Sequence, residues 1–157
     1  MTRDVLDDRS VAVATYNRCW DLLESEQRSP EDDADLLMCA LTSRYHWQRC
    51  GGDEQRVVAD WMVSRAAAAI GQADLAVRFA ERALDAVQRG AHPAWLRASV
   101  FEGLARAHAA LGDTALCDRY ASIARLVLDR EPDEANREVV AEQLRSLTAA
   151  RDPSSEG

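Results

Sequence analysis

Two tryptophans, two arginines and two glutamates recur along this chain at spacings that could gather them. Trp20 and Trp61 stand 41 residues apart, and so do Arg65 and Arg106; the same step carries Trp61 to Glu102 and Glu24 to Arg65. Trp61 and Arg65 are four residues apart, as are Glu102 and Arg106, which puts each pair on one side of a helix. An arginine fork grips a carboxylate or phosphate through paired charge-assisted hydrogen bonds. Tryptophan supplies rigid apolar area, and these two residue types are enriched at binding hot spots. The chemistry is recognition rather than bond making. An internal reading stands beside it: Glu24, Arg65 and Glu102 could pair with one another as a structural ladder. Exposed, the Glu102–Arg106 pair would contribute only about 0.2–0.5 kcal/mol. Arg106 is expected to be the freer cation, because no fourth repeat supplies it with a partner.

The elements that must position these residues follow from the same period. Ala66-Ala67-Ala68-Ala69-Ile70-Gly71 returns 41 residues later as Ala107-His108-Ala109-Ala110-Leu111-Gly112. Leu75-Ala76-Val77-Arg78-Phe79-Ala80-Glu81-Arg82-Ala83 returns as Leu116-Cys117-Asp118-Arg119-Tyr120-Ala121-Ser122-Ile123-Ala124. Periods of this length mark stacked supersecondary units, since one unit alone cannot bury its apolar face. Helical spacing predicts a first helix over about 3–28. Ser29-Pro30-Glu31-Asp32 offers an N-cap, a proline at N1 and acids in the first turn, and opens a second helix to about Cys50. Asp53 is expected to cap a third helix to Ile70, followed by helices over about 72–89, 93–111, 113–130 and 134–151. The expected fold is all-α, with seven helices. Three antiparallel helical hairpins, roughly 12–52, 53–93 and 94–134, stack as a right-handed array, and one capping helix covers the last. Residues 1–151 form a single domain, and 152–157 a disordered tail.

The second and third units resemble tetratricopeptide repeats, lengthened from 34 to 41 residues. Gly71 matches the glycine of the turn, and Ala76, Ala80 and Ala83 match the small residues of the second helix. Gly112, Cys117, Ala121 and Ala124 repeat the match. The first-helix signature departs from the family, with Asp60, Val63 and Ser64 and then Phe101, Leu104 and Ala105 in its places. Ser43-Arg44-Tyr45-His46-Trp47 and Trp61-Met62-Val63-Ser64-Arg65 also look like helical repeat proteins of high-GC Gram-positive bacteria, a resemblance that implies no activity. The tetratricopeptide resemblance implies a concave groove lined by the first helix of each unit. Its inward positions would be Val58, Trp61, Arg65 and Ala68, then Ser99, Glu102, Arg106 and Ala109, with Asn17, Trp20, Glu24 and Gln27 from the first unit. Trp20, Trp61, Arg65, Glu102 and Arg106 are therefore the principal candidate contacts, and Asn17, Glu24 and Ser99 the secondary ones. Trp95 could extend the stripe.

Composition narrows the partners. The formal charge of −8 and the lack of a basic stripe argue against nucleic acid. There is no apolar run of membrane-spanning length, and Met1–Asp8 lacks the apolar core of a signal peptide, so a cytoplasmic location is expected. All 19 basic residues are arginine. Cys19, Cys39, Cys50 and Cys117 have no C-x-x-C pairing and read as reduced core residues. Cys39, His46 and Cys50 share a helical face but span too far along it to close a tetrahedral metal site, so no metal and no cofactor is expected. Arg44 projects into an apolar sector and needs a partner such as Asp60. His108 reads as a packed histidine, and His92 as an exposed one.

No nucleophile elbow, phosphate-cradling loop, zincin motif or dinucleotide fingerprint is present. The expected function is a non-enzymatic binding module holding a peptide, a partner helix or a small anionic ligand. The alternative is a small cofactor-independent enzyme of a specialised biosynthetic pathway, moving a proton in a Trp-lined cleft with Glu102 or Glu24 and His46 or Tyr16. A third possibility is a homodimer in which the groove takes up another copy's helix.

Overall fold

The computed structural model describes residues 7–151 and is all-helical over that range. Its seven helices are α1 (Asp8–Leu23), α2 (Pro30–Cys50), α3 (Asp53–Ala69), α4 (Ala73–Gln88), α5 (Ala94–Leu111), α6 (Thr114–Leu128) and α7 (Glu134–Arg151). The expected start of the first helix at residues 3–6 and the tail 152–157 lie outside the described residues. At its other end α1 stops at Leu23, short of residue 28. Glu24, Ser25, Glu26 and Gln27 have no apolar side chain to bury, and Ser29, preceding Pro30, takes an extended backbone. Gln27 thus lies beyond the helix that was to carry it.

The N-terminus of α2 forms as its sequence predicts. Ser29 accepts from the Asp32 amide at 3.1 Å, and the Asp32 carboxylate accepts from the Ser29 amide at 2.9 Å, a reciprocal capping box. At α3 the cap is Gly52 rather than Asp53; the Gln55 side chain turns back to accept from the Gly52 amide at 3.0 Å. The two period-related turns are built alike. Gly71 and Gly112 carry φ of 79° and 86°. The next amide reaches five residues back in each turn, Gln72 to Ala67 at 2.8 Å and Asp113 to His108 at 2.9 Å. Only glycine takes that left-handed conformation without strain.

Consecutive helices pack as pairs, α1 with α2, α3 with α4 and α5 with α6. The first helices also touch directly, α1 with α3 and α3 with α5, and α7 continues the row against α5. Ala76, Ala80 and Ala83 on α4, and Cys117, Ala121 and Ala124 on α6, are all buried. These small residues let each second helix approach its partner closely, as expected. One core cluster runs from Cys19 and Leu36 through Met62 and Val63 to Leu96 and Leu104. A second joins Cys117, Ala121, Ala124 and Leu128 to Val140, Leu144 and Leu147 of α7, so α7 covers the last pair.

Glu131 fixes the approach to α7. It is 5% exposed, its Oε2 accepts from the Trp95 amide at 2.9 Å, and its carbonyl accepts from Arg137. Cys19 and Cys117 are buried, whereas Cys39 is half-buried and Cys50 exposed. The expectation of four core thiols is corrected at Cys50, which is exposed as the last residue of α2. No described helix is long and apolar enough to cross a membrane.

Candidate functional site

The row α1–α3–α5–α7 brings all five principal candidates together. Glu102 on α5 is fully buried, and its Oε1 accepts from Arg106 Nε at 2.8 Å and from Nη2 at 2.5 Å. Its Oε2 faces Arg65 Nη1 of α3 at 3.7 Å, too long for a hydrogen bond. The Arg65 guanidinium carbon lies 5.3 Å from the Trp20 ring centroid and 5.6 Å from that of Trp61. The two rings meet at 6.0 Å, tilted by 42°. Gly103 makes room for this contact: a Cβ there would come within 2.9 Å of Trp61 Cδ1.

The arginines differ in what satisfies them. Arg106 Nη2 also donates to the Gln143 carbonyl at 2.9 Å and to Ser146 Oγ at 3.0 Å, both on α7. The expectation that Arg106 is the free cation is therefore corrected, because the closing helix stands where a fourth repeat would begin. Arg65 is the under-satisfied one. Its side chain is 15% exposed, and its Nε and Nη1 are buried with no hydrogen-bond partner among the described residues. Burial pulls its guanidinium down to about 10; repulsion from Arg106 adds to this and attraction to Glu102 opposes it. It remains a cation at neutral pH, bound by ring faces and one distant carboxylate rather than by hydrogen bonds.

Two cavities open at Arg65. The first, of about 400 Å³, is lined by Leu23, Arg28, Arg65, Ala68, Ala69, Arg106, Ala109, Ala110 and Leu147. The second, of about 630 Å³, is bounded by Trp20 and Glu24 of α1, Arg65 of α3, and Glu138, Val139, Glu142, Gln143 and Ser146 of α7. Glu24 is exposed and takes no place in an Arg65–Glu102 ladder; it stands on the rim. Asn17 is exposed and Ser99 is 8% exposed, and neither lines these two cavities. Trp95 packs half-buried against both core clusters.

The remaining candidates lie elsewhere. Arg44 Nε donates to Asp60 Oδ1 at 2.5 Å, the partner its position demanded. His46 Nδ1 meets Asp8 Oδ1 at 2.7 Å at the far ends of α1 and α2, away from Glu102 and Glu24. Tyr16 lines a separate cavity of about 230 Å³ with Val13, Trp47, Glu54, Gln55 and Val58. His108 is buried and stacks on Tyr120 at 5.6 Å, while His92 is half-buried.

Sequence reasoning missed the contribution of α7: Glu138, Glu142, Gln143 and Ser146. A signal was available. The 41-residue step that joins Trp20, Trp61 and Glu102 arrives next at Gln143, and Glu138, Glu142 and Ser146 repeat every four residues along one helix face. No family model matches the chain, and no curated protein matches it.

Proposed function

We propose that the protein is a non-enzymatic binding module, a right-handed tetratricopeptide-like array whose groove between α1 and α7 holds a partner's anionic group at Arg65. One observation carries this reading: a buried arginine, over two tryptophan rings, with two nitrogens unbonded at the junction of two cavities. Buried polar groups are almost always satisfied, so an orphan in a cleft is a place where a ligand gains more than water loses. Arg106 and Glu102 serve as its frame. Glu102 fixes the Arg106 guanidinium and faces that of Arg65 with its other oxygen, and Arg106 ties the frame to α7. The enzyme alternative receives no comparable support, since both Glu102 oxygens face cations and His46 and Tyr16 line neither groove cavity.

The test is titration of intrinsic tryptophan fluorescence, which Trp20 and Trp61 place at the site. Probes are neutral twelve-residue peptides carrying one central Glu or, in its place, Gln. The wild-type protein is expected to prefer the Glu peptide by about tenfold, roughly the energy of one charge-assisted bond in a partly buried site. Arg65→Gln should erase that preference while leaving the helical circular dichroism unchanged. Equal affinity for the two peptides in the wild type, or a preference that survives in Arg65→Gln, would defeat the proposal.

A further inference from the structure

Charge divides the groove into two halves. The cavity on the Arg28 side presents three arginines and no acid. Arg28 is neutralised by Asp33 at 2.7 Å, but Arg65 and Arg106 share the single carboxylate of Glu102, which leaves one positive charge uncompensated. The cavity on the Trp20 side presents Glu24, Glu138 and Glu142 around the same Arg65. Arg145 bonds both Glu138 and Glu142, at 2.6 and 2.5 Å, so that trio keeps one negative charge, and Glu24 adds another. Positive and negative halves therefore meet at Arg65, in cavities that are each the size of a whole small-molecule site, about 300–1,000 Å³.

Building on the binding-module reading, we infer that the occupant is a peptide segment carrying both charges. An acidic side chain enters the arginine half, and a basic side chain lies across Trp20 into the glutamate half. Four features agree with this. Among the described residues Arg65 Nε has no acceptor, and Nη1 faces only Glu102 Oε2 at 3.7 Å, beyond hydrogen-bond reach. A single anion would leave Glu24 and the α7 acids facing solvent with no task. A single cation would sit beside Arg65 with no anion to offset that charge. Two cavities bordered by the same Arg65 suit an extended chain better than a compact molecule, and like charges in the wrong half provide rejection of reversed ligands.

The experiment is a two-by-two set of twelve-residue peptides, Glu or Gln at one position and Lys or norleucine four residues away, titrated by tryptophan fluorescence. Each is measured against the wild type, Arg65→Gln, and the double variant Glu24→Gln/Glu142→Gln. Replacement of Lys by norleucine is expected to weaken wild-type binding threefold to tenfold. That penalty should vanish in the double variant, where the Glu-to-Gln penalty persists. Arg65→Gln should show the converse. If the Glu penalty appears without any Lys penalty, the two-charge inference falls and the anion-binding module stands. If neither peptide substitution matters, both fall. A free Glu-Lys dipeptide binding as tightly as the twelve-residue peptide would overturn the assignment to a chain segment.

Discussion

One buried carboxylate between two arginines occurs twice among the described residues, and one of the two lies in the groove. On the α2–α4 side, Asp60 sits between Arg44 at 2.5 Å and Arg82 at 3.7 Å, and both guanidinium groups lie over the Phe79 ring, at 5.3 and 5.8 Å. In the groove, Glu102 sits between Arg106 and Arg65, and Arg65 lies over Trp20 and Trp61. The parts are the same, but the water is not. Arg82 is 53% exposed and solvates itself, whereas Arg65 is 15% exposed and leaves two nitrogens unbonded. The first cluster is a structural clamp. The second is a clamp with one valence open, and openness to a ligand follows from depriving a cation of water rather than from adding charge.

The largest expected effect separates the two carboxylates. Glu102→Gln leaves two poorly solvated arginines without a counter-charge, and breaking a buried pair this way costs about 3–5 kcal/mol. Asp60→Asn strands Arg44, which is 23% exposed, but leaves Arg82, which is 53% exposed, in water, so its cost should be lower, at about 1.5–3 kcal/mol, the range for hydrogen bonds to charged groups. Urea unfolding of both variants decides the matter. Equal losses would show that solvent access does not distinguish the clusters.

Gly103→Ala comes next. Its Cβ would come within 2.9 Å of Trp61 Cδ1 and 3.1 Å of Nε1, so the indole must move. Overpacking of this kind costs about 1–3 kcal/mol. Because Trp61 holds one side of Arg65, the variant should also shift the emission maximum and weaken the acidic probe peptide. Gly71→Ala gives the contrast: with φ of 79° and open space around it, it is strained in the backbone alone and should leave probe affinity untouched.

The third effect depends on pH. Arg65 has a folded pKa of about 10 against an ordinary 12.5, lowered first by burial. Between those values the unfolded chain binds more protons than the folded one, so this group makes stability rise with pH. Below pH 10 its charge is a burial cost that is carried in full. Arg65→Met removes the group and should lie within about 1 kcal/mol of wild type at neutral pH, as hydrophobic replacements of buried charges often do. Wild type should then gain on the variant as pH climbs from 9 to 11. A constant gap across that interval would mean that Arg65 is not desolvated.

The contrast between the clusters also marks what could be read from sequence. The period of 41, the glycines at 71 and 112 and the small residues of α4 and α6 specify helix pairing through local rules. Turn geometry and close approach leave little choice of residue, so the fold was legible. So was the need of Arg44 for an acid, because a charge in an apolar sector has few solutions. Arg106 was misjudged for a reason that lies outside its own repeat. Its partners, Gln143 and Ser146, come from a helix read as a cap, and a cap that re-enters the row of first helices supplies a wall as well as a lid. Charge alone could not rank Arg65 above Arg106, since the deciding quantity is which guanidinium loses its hydration.

The smallest effect on folding tests the acidic half most directly. Arg145 is exposed and bonds Glu138 and Glu142 at the groove's outer edge, an arrangement that at such exposure contributes little to stability. Arg145→Gln should leave the melting temperature unmoved. It nonetheless removes a cation that competes for the α7 carboxylates, which raises the negative charge of the Trp20 half and leaves the arginine half as it was. Affinity for the peptide with both Glu and Lys should therefore rise about twofold to threefold at low salt, and the gain should shrink as salt screens it. The peptide with Glu and norleucine should not respond. A gain shared by both peptides would place the effect in the overall field of the protein, and the division of charge across Arg65 would then have no part in recognition.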